Sequence, residues 1–143
     1  MSDWEPILLV EDNDDDALLV QRTLTSAGVR NPVHRVTEGD AAIYYLRERL
    51  ELSLHKPLPT LVLLDLKLNG LSGMEVLEWI RAQPSLADLR VIVLTSHDGL
   101  REVNRAYALG AKSFLLKPLE IEDARSFKSF LTAHGIIKRA SAA

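Results

Sequence analysis

Three carboxylates, two hydroxyls and one ammonium stand directly after four short apolar runs. Glu11 and Asp12 follow Val10, Asp65 follows Leu64, Thr95 and Ser96 follow Leu94, and Lys117 follows Leu116. If the runs are parallel strands of one sheet, these six side chains converge on one edge. Close carboxylates repel and raise one another's pKa unless a cation neutralises them. An all-oxygen site with few protein ligands and room for water and phosphate suits Mg2+. A carboxylate there can act as a nucleophile and become an aspartyl phosphate. Phosphoryl transfer then asks mainly for positioning and charge neutralisation, which a metal and one lysine supply. A hydroxyl could bond a phosphoryl oxygen and report its arrival. Each residue alone has a plainer reading. The acidic residues could charge a helix start, Asp65 could be a turn or cap residue, Thr95 and Ser96 could be N-caps, and Lys117 could be a solvated turn residue. Those readings do not predict that all four sets fall at the same end of four different strands.

The positioning elements are legible from hydrophobic period. Ile7 to Val10, Leu61 to Leu64 and Val91 to Leu94 are continuous apolar runs, the sign of strands buried on both faces. Val33 to Val36 is more polar and belongs nearer an edge, and Phe114 to Leu116 is the last strand. Between them run helical stripes: Ala17, Val20, Leu24 and Ala27, closed by Gly28; Ile43, Leu46 and Leu50, opened by Thr37 and Asp40. Further on come Met74, Leu77 and Ile80 behind a Ser72–Glu75 capping box and limited by Pro84; Leu100, Val103 and Ala106, closed by Gly110; and Ile121, Ala124, Phe127 and Phe130 after Pro118, ending at Gly135. Residues 51 to 60, with Pro57 and Pro59, form a loop. Five strands alternating with five helices predict one doubly wound α/β domain: a parallel sheet, helices on both faces, right-handed crossovers. Such sheets place their sites beyond the carboxyl ends of the strands.

Composition narrows the function. The 143 residues make one domain, and 17 basic against 20 acidic residues give a net charge of −3. That small value argues against a nucleic-acid coat or a polybasic membrane binder. Five of the acids fall between Glu11 and Asp16, and the other 15 alone would leave the chain at +2. There is no cysteine, which excludes a disulfide scaffold, a thiol nucleophile and a cysteine-ligated metal. His34, His55, His97 and His134 lie far apart, with no pair at helical metal-ligand spacing. Apolar runs are about four residues long, against ~20 for a membrane span. The acidic start, Met1 to Pro6, lacks the features of a signal peptide, so the expected place is the cytoplasm. A small Ala/Ser tail occupies 140–143.

Four segments, Ile7 to Asn13, Leu61 to Leu66, Val91 to Ser96 and Ala111 to Pro118, stand in order and at a spacing that resembles the receiver domains of bacterial two-component response regulators. The resemblance covers roughly residues 6 to 134. It implies the flavodoxin-like strand order 2-1-3-4-5 and a phosphoryl group passed from a sensor histidine kinase to Asp65. It further implies Mg2+ held by Glu11, Asp12, Asp65 and the Lys67 carbonyl, a phosphoryl group bound by Thr95 and Lys117, Phe114 as the switch aromatic beside Thr95, and a cis Lys117–Pro118 bond. Lys67, Ser96 and His97 would tune the lifetime of the phosphoryl group. Three positions depart from the usual pattern: Asn69-Gly70 stands where a proline is common, Lys67 where a small polar residue is, and Phe114 where Tyr is frequent. None removes a required group. The three acids Asp14, Asp15 and Asp16 read as ordinary helix-start charges.

Only eight residues follow Gly135, so the expectation is a receiver alone over 1–143, with no output domain. Its signal would leave by protein–protein contact or onward phosphotransfer, with dimerisation on the fourth helix, fifth strand and fifth helix, where Arg101, Arg105, Lys128 and Phe130 are candidates. The region from Arg47 to Thr60 and the Val-Glu-Asp-Asn opening are similar to regulators that partner bacterial phytochromes and hybrid kinases. Three rivals are weaker. A haloacid-dehalogenase-type phosphatase needs an acid two residues after its nucleophile, where Lys67 stands. An FMN carrier needs a phosphate-cradling loop after the first strand, where five carboxylates would repel one. A degenerate receiver serving only as a binding module would lack required residues, and all are present.

Overall fold

Apolar runs with no polar alternation need cover on both faces, and the structure supplies it. The computed structural model describes residues 5–51 and 56–136. Residues 1–4, 52–55 and 137–143 and the side chain of Ile121 lie outside that description, and so do the expectations resting on them. The strands are β1 (Ile7–Val10), β2 (Val33–Val36), β3 (Leu61–Asp65), β4 (Val91–Thr95) and β5 (Ser113–Leu116). All pair in parallel, in the order β2-β1-β3-β4-β5. Every residue of the three central strands is buried, whereas β2 and β5 form the edges and are partly exposed.

Alternate strand residues feed two cores. Leu8, Val10, Val62, Leu64, Val91 and Val93 pack under α2 (Gly39–Glu51), α3 (Gly73–Arg81) and α4 (Val103–Ala108). Ile7, Leu9, Leu61, Leu63, Ile92 and Leu94 pack under α1 (Asp14–Ser26) and α5 (Ile121–Ala133). Each fully buried Leu or Ile removes enough apolar area from water to contribute roughly 1.5–3 kcal/mol before entropy is counted. No helix among the described residues is long and apolar enough to cross a membrane.

The helix ends follow local chemistry. Asn13 caps α1 by accepting from Asp16 N–H at 2.9 Å, and Gly28 takes the left-handed conformation, φ 87°, just past its end. Ser72 accepts from Glu75 N–H at 3.2 Å to start α3. Glu120 and Asp123 form a reciprocal capping box on α5. At the other end of α3, Arg81 donates to the carbonyls of Leu86, Ala87, Leu89, Leu109 and Gly110, tying the helix to the approaches of β4 and β5.

Three expected core stripes need correction. In α2 the inward face is Ala42, Tyr45 and Leu46, with Ile43 and Leu50 only half-buried at its margin. In α5, Leu131 is fully buried and Phe130 is not. The expected fourth helix begins as a 3-10 turn over His97–Glu102 and becomes α-helical only at Val103. The tighter winding turns Leu100 outward, to 39% exposure, while Val103 and Ala106 stay buried.

Gly73 has a role that local pattern does not announce. A Cβ there would collide with the Asp65 carbonyl oxygen and stand 2.7 Å from Leu66 Cα, so only glycine lets the start of α3 sit against the end of β3. Gly73→Ala should therefore cost about 2–3 kcal/mol or more by overpacking, against about 1 kcal/mol for Ser72→Ala, which loses only a cap. Urea unfolding of both variants checks the ranking; a Gly73→Ala cost below that of Ser72→Ala would contradict the close approach.

Candidate metal and phosphoryl site

The sheet register brings the polar strand ends together. Val10 is level with Leu64, Asp65 with Leu94, and Thr95 with Leu116. The ladder continues one step beyond the strands: Glu11 N–H donates to Val36 O at 3.1 Å, Leu66 N–H to Leu94 O at 3.1 Å, and Lys117 N–H to Thr95 O at 2.6 Å. Backbone pairing thus fixes Glu11, Asp65, Thr95 and Lys117 side by side before any side chain is considered.

Glu11, Asp65 and Thr95 are buried, and Asp12 is half-buried. Carboxylate oxygens of Glu11, Asp12 and Asp65 lie within 4.8 Å of one another. Lys117 Nζ donates to Glu11 Oε1 and Asp65 Oδ2, both at 3.1 Å. Three more carboxylate oxygens are held by backbone donors: Asn13 N–H to Glu11 Oε2 at 3.2 Å, Lys67 N–H to Asp65 Oδ1 at 3.1 Å, and Asn69 N–H to Asp12 Oδ2 at 3.2 Å. Three hard oxygen donors in one compact group, one of them half-exposed, are the donor set that a divalent cation with retained waters takes. The Lys117–Pro118 bond is cis, as expected.

Two acids expected to be ordinary helix-start charges have specific partners. Asp16 Oδ2 lies 3.2 Å from Lys117 Nζ, so the ammonium faces three carboxylates rather than two. Asp16 stands one turn beyond Asp12, and that spacing was the available signal. Asp14 pairs with Arg35 at 2.8 Å, and the same guanidinium donates through Nε to Glu11 O at 3.0 Å. Asp15 is exposed, as expected.

The outer positions divide. Thr95 Oγ1 donates only to Ser96 O, at 3.3 Å. Gly99, missed from sequence, presses its backbone against Thr95 Oγ1, where a Cβ would collide. Lys67 and Ser96 both bond Asp98, and His97 is exposed. Phe114 is half-buried and meets Tyr107 edge-on at 6.5 Å. Gly70 has φ 77°, consistent with a tight turn at Asn69-Gly70. Of the four surface candidates, Arg101 and Lys128 are exposed, Arg105 is bonded to Glu78 on α3, and Phe130 stacks on His134 at 4.2 Å.

Burial, and then the neighbouring Asp65 carboxylate, push the Glu11 carboxyl from its ordinary 4.5 up to about 7, against the pull of Asn13 N–H and Lys117. Burial alone would lower the Lys117 ammonium, but Asp65 and Glu11 outweigh it and raise its pKa. A carboxyl whose pKa rises on folding binds its proton more tightly when folded. Its contribution to stability is complete below the unfolded value and is lost as pH climbs through the folded one. Lys117 shifts the other boundary, well above neutrality. In EDTA, the urea midpoint should therefore fall between about pH 5 and pH 7.5, and Glu11→Gln should flatten that fall. A midpoint independent of pH in this window, with Glu11 present, would contradict the assignment.

Comparisons with known proteins agree with this geometry. The family model for the response regulator receiver domain matches residues 7–127. The probable methanogenesis regulatory protein FilR2 of Methanothrix harundinacea is 39% identical over 82% of this chain and 74% of its own length. Response regulator Rcp1 of Synechocystis sp. is 35% identical over 82% of this chain and 79% of its own. The crystal structure of its Mn2+-bound form overlays with a TM-score of 0.74, at 30% identity over 97% of this chain and 99% of that one. The bacteriophytochrome response regulator RtBRR overlays with a TM-score of 0.79, at 31% identity over 98% of this chain and 83% of that one. A parallel sheet in the order 2-1-3-4-5, an acidic cluster with one lysine at its carboxyl edge, and a family model spanning most of the chain lead to one conclusion: this chain belongs to the response regulator receiver domains of two-component signalling.

Proposed function

We propose that Asp65 accepts a phosphoryl group from a phosphohistidine on a sensor kinase, at a Mg2+ site formed by Glu11, Asp12, Asp65 and the Lys67 carbonyl. The observation that carries this reading is the half-buried Lys117 ammonium, 3.1 Å from both Glu11 and Asp65, beside three carboxylates within 4.8 Å of one another. An Asp65 oxygen attacks phosphorus and forms the new O–P bond. The bond from phosphorus to the donor breaks, and its electron pair leaves with the donor atom, an imidazole nitrogen for phosphohistidine. Mg2+ bound there would neutralise charge on the carboxylates and the transferred group. Lys117 holds its ammonium where that charge accumulates, and Thr95, weakly engaged with Ser96 O, is free to bond a phosphoryl oxygen.

The protein acts as a stoichiometric phosphoacceptor in the cytoplasm rather than as a turnover enzyme. Its signal leaves by protein–protein contact or onward phosphotransfer, with a bacteriophytochrome or hybrid kinase as the upstream partner; the likeness to the bacteriophytochrome response regulator RtBRR supports that choice. The surface of α4, β5 and α5 is the dimer face, with Phe114 as the switch aromatic; Arg105 must exchange its Glu78 contact to take part.

Incubation with Mg2+ and acetyl phosphate should give an acid-stable, base-labile adduct that Asp65→Asn abolishes and EDTA prevents. No adduct, or one that survives Asp65→Asn, would sink the reading in favour of a phosphorylation-independent binding module. Lys67→Asn, Ser96→Ala and His97→Ala should each change the decay rate of the adduct; unchanged decay in all three would remove their tuning role.

A further inference from the structure

Outside the carboxylate cluster, a second set of charges crosses from one loop to the next. Asp98, in the 3-10 turn after β4, uses both carboxylate oxygens. One accepts from Lys67 Nζ and the other from Ser96 Oγ. Lys67 lies two residues beyond Asp65, and Ser96 is the neighbour of Thr95. Gly99 sits between them. A Cβ there would collide with Thr95 Oγ1 and come within 4.0 Å of Lys67 Cε, so the lysine stem runs past Gly99 on the Thr95 side and ends on Asp98.

Both partners of the ion pair are exposed, and such pairs add little to stability. Its consequence is where it leaves a charge. The cluster of Glu11, Asp12, Asp16 and Asp65 already holds one ammonium, that of Lys117. A second ammonium on a flexible four-carbon stem, rooted two residues from Asp65, is attracted to the same carboxylates and competes there with a divalent cation. Asp98 offers it a different anion, and Ser96 fixes the orientation of that anion.

We propose that Asp98 is a positioning residue that draws the Lys67 ammonium away from the Glu11, Asp12 and Asp65 carboxylates and so keeps them open to a divalent cation. The proposal rests on the metal reading above. Calorimetric titration of the full chain with Mg2+ tests it, using Asp98→Asn, Lys67→Met and the double variant. Asp98→Asn should weaken Mg2+ binding roughly three- to tenfold, and the same substitution should change it less than about twofold once Lys67 is Met, because the two positions are coupled. Rescue by removing Lys67 is an outcome that a simple loss of negative charge or a local structural defect would not give. Equal weakening in both backgrounds, or no weakening by Asp98→Asn, overturns the proposal alone. Failure of the unsubstituted chain to bind Mg2+ overturns the metal reading and the proposal with it.

Discussion

One ammonium among three carboxylates is the interaction on which the site depends. Lys117 touches Glu11, Asp16 and Asp65 at 3.1–3.2 Å, in a place where Glu11 and Asp65 are cut off from water. Buried like charges are costly unless paired, and a single cation does not balance this group. The imbalance has two visible consequences. Glu11 holds a proton far above the usual carboxylate range. The cluster also remains electronegative at its half-exposed side, where Asp12 stands, which favours a further cation.

Backbone pairing makes the arrangement rigid. The four site residues are positioned by ladder bonds that extend just past β1, β3 and β5. Two glycines then let neighbouring elements close on the edge. Gly73 admits the start of α3 against Asp65, and Gly99 admits the loop after β4 against Thr95. Any change at Asp65 or Thr95 is therefore felt directly by the segments leading to α3 and α4.

Much of this was legible in the sequence, and the reason is periodicity. Runs such as Leu61 to Leu64 can be buried on both faces only in a parallel sheet, and the residue after each run must then lie at its edge. The order of Glu11, Asp65, Thr95 and Lys117 along the chain was enough to assemble the site. What was not legible came from contacts between elements distant in sequence. Leu100 fits a helical stripe, but the chain winds there as a 3-10 turn. Tyr45 and Leu131 face inward because of the actual rotation of α2 and α5 against the sheet. Asp16 looks like any helix-start acid until the sheet places Lys117 beside it. Arg81 carries no motif, yet five carbonyls from two loops meet at its guanidinium.

The central claim is that the Asp65 carboxylate receives the phosphoryl group. Its most direct test is to treat the protein with Mg2+ and acetyl phosphate, reduce the product with borohydride, and map the peptides by mass spectrometry. An acyl phosphate at this position is reduced to homoserine, so homoserine at position 65, and only after phosphorylation, is the predicted result. An intact aspartate at 65 with homoserine at another aspartate would contradict the account.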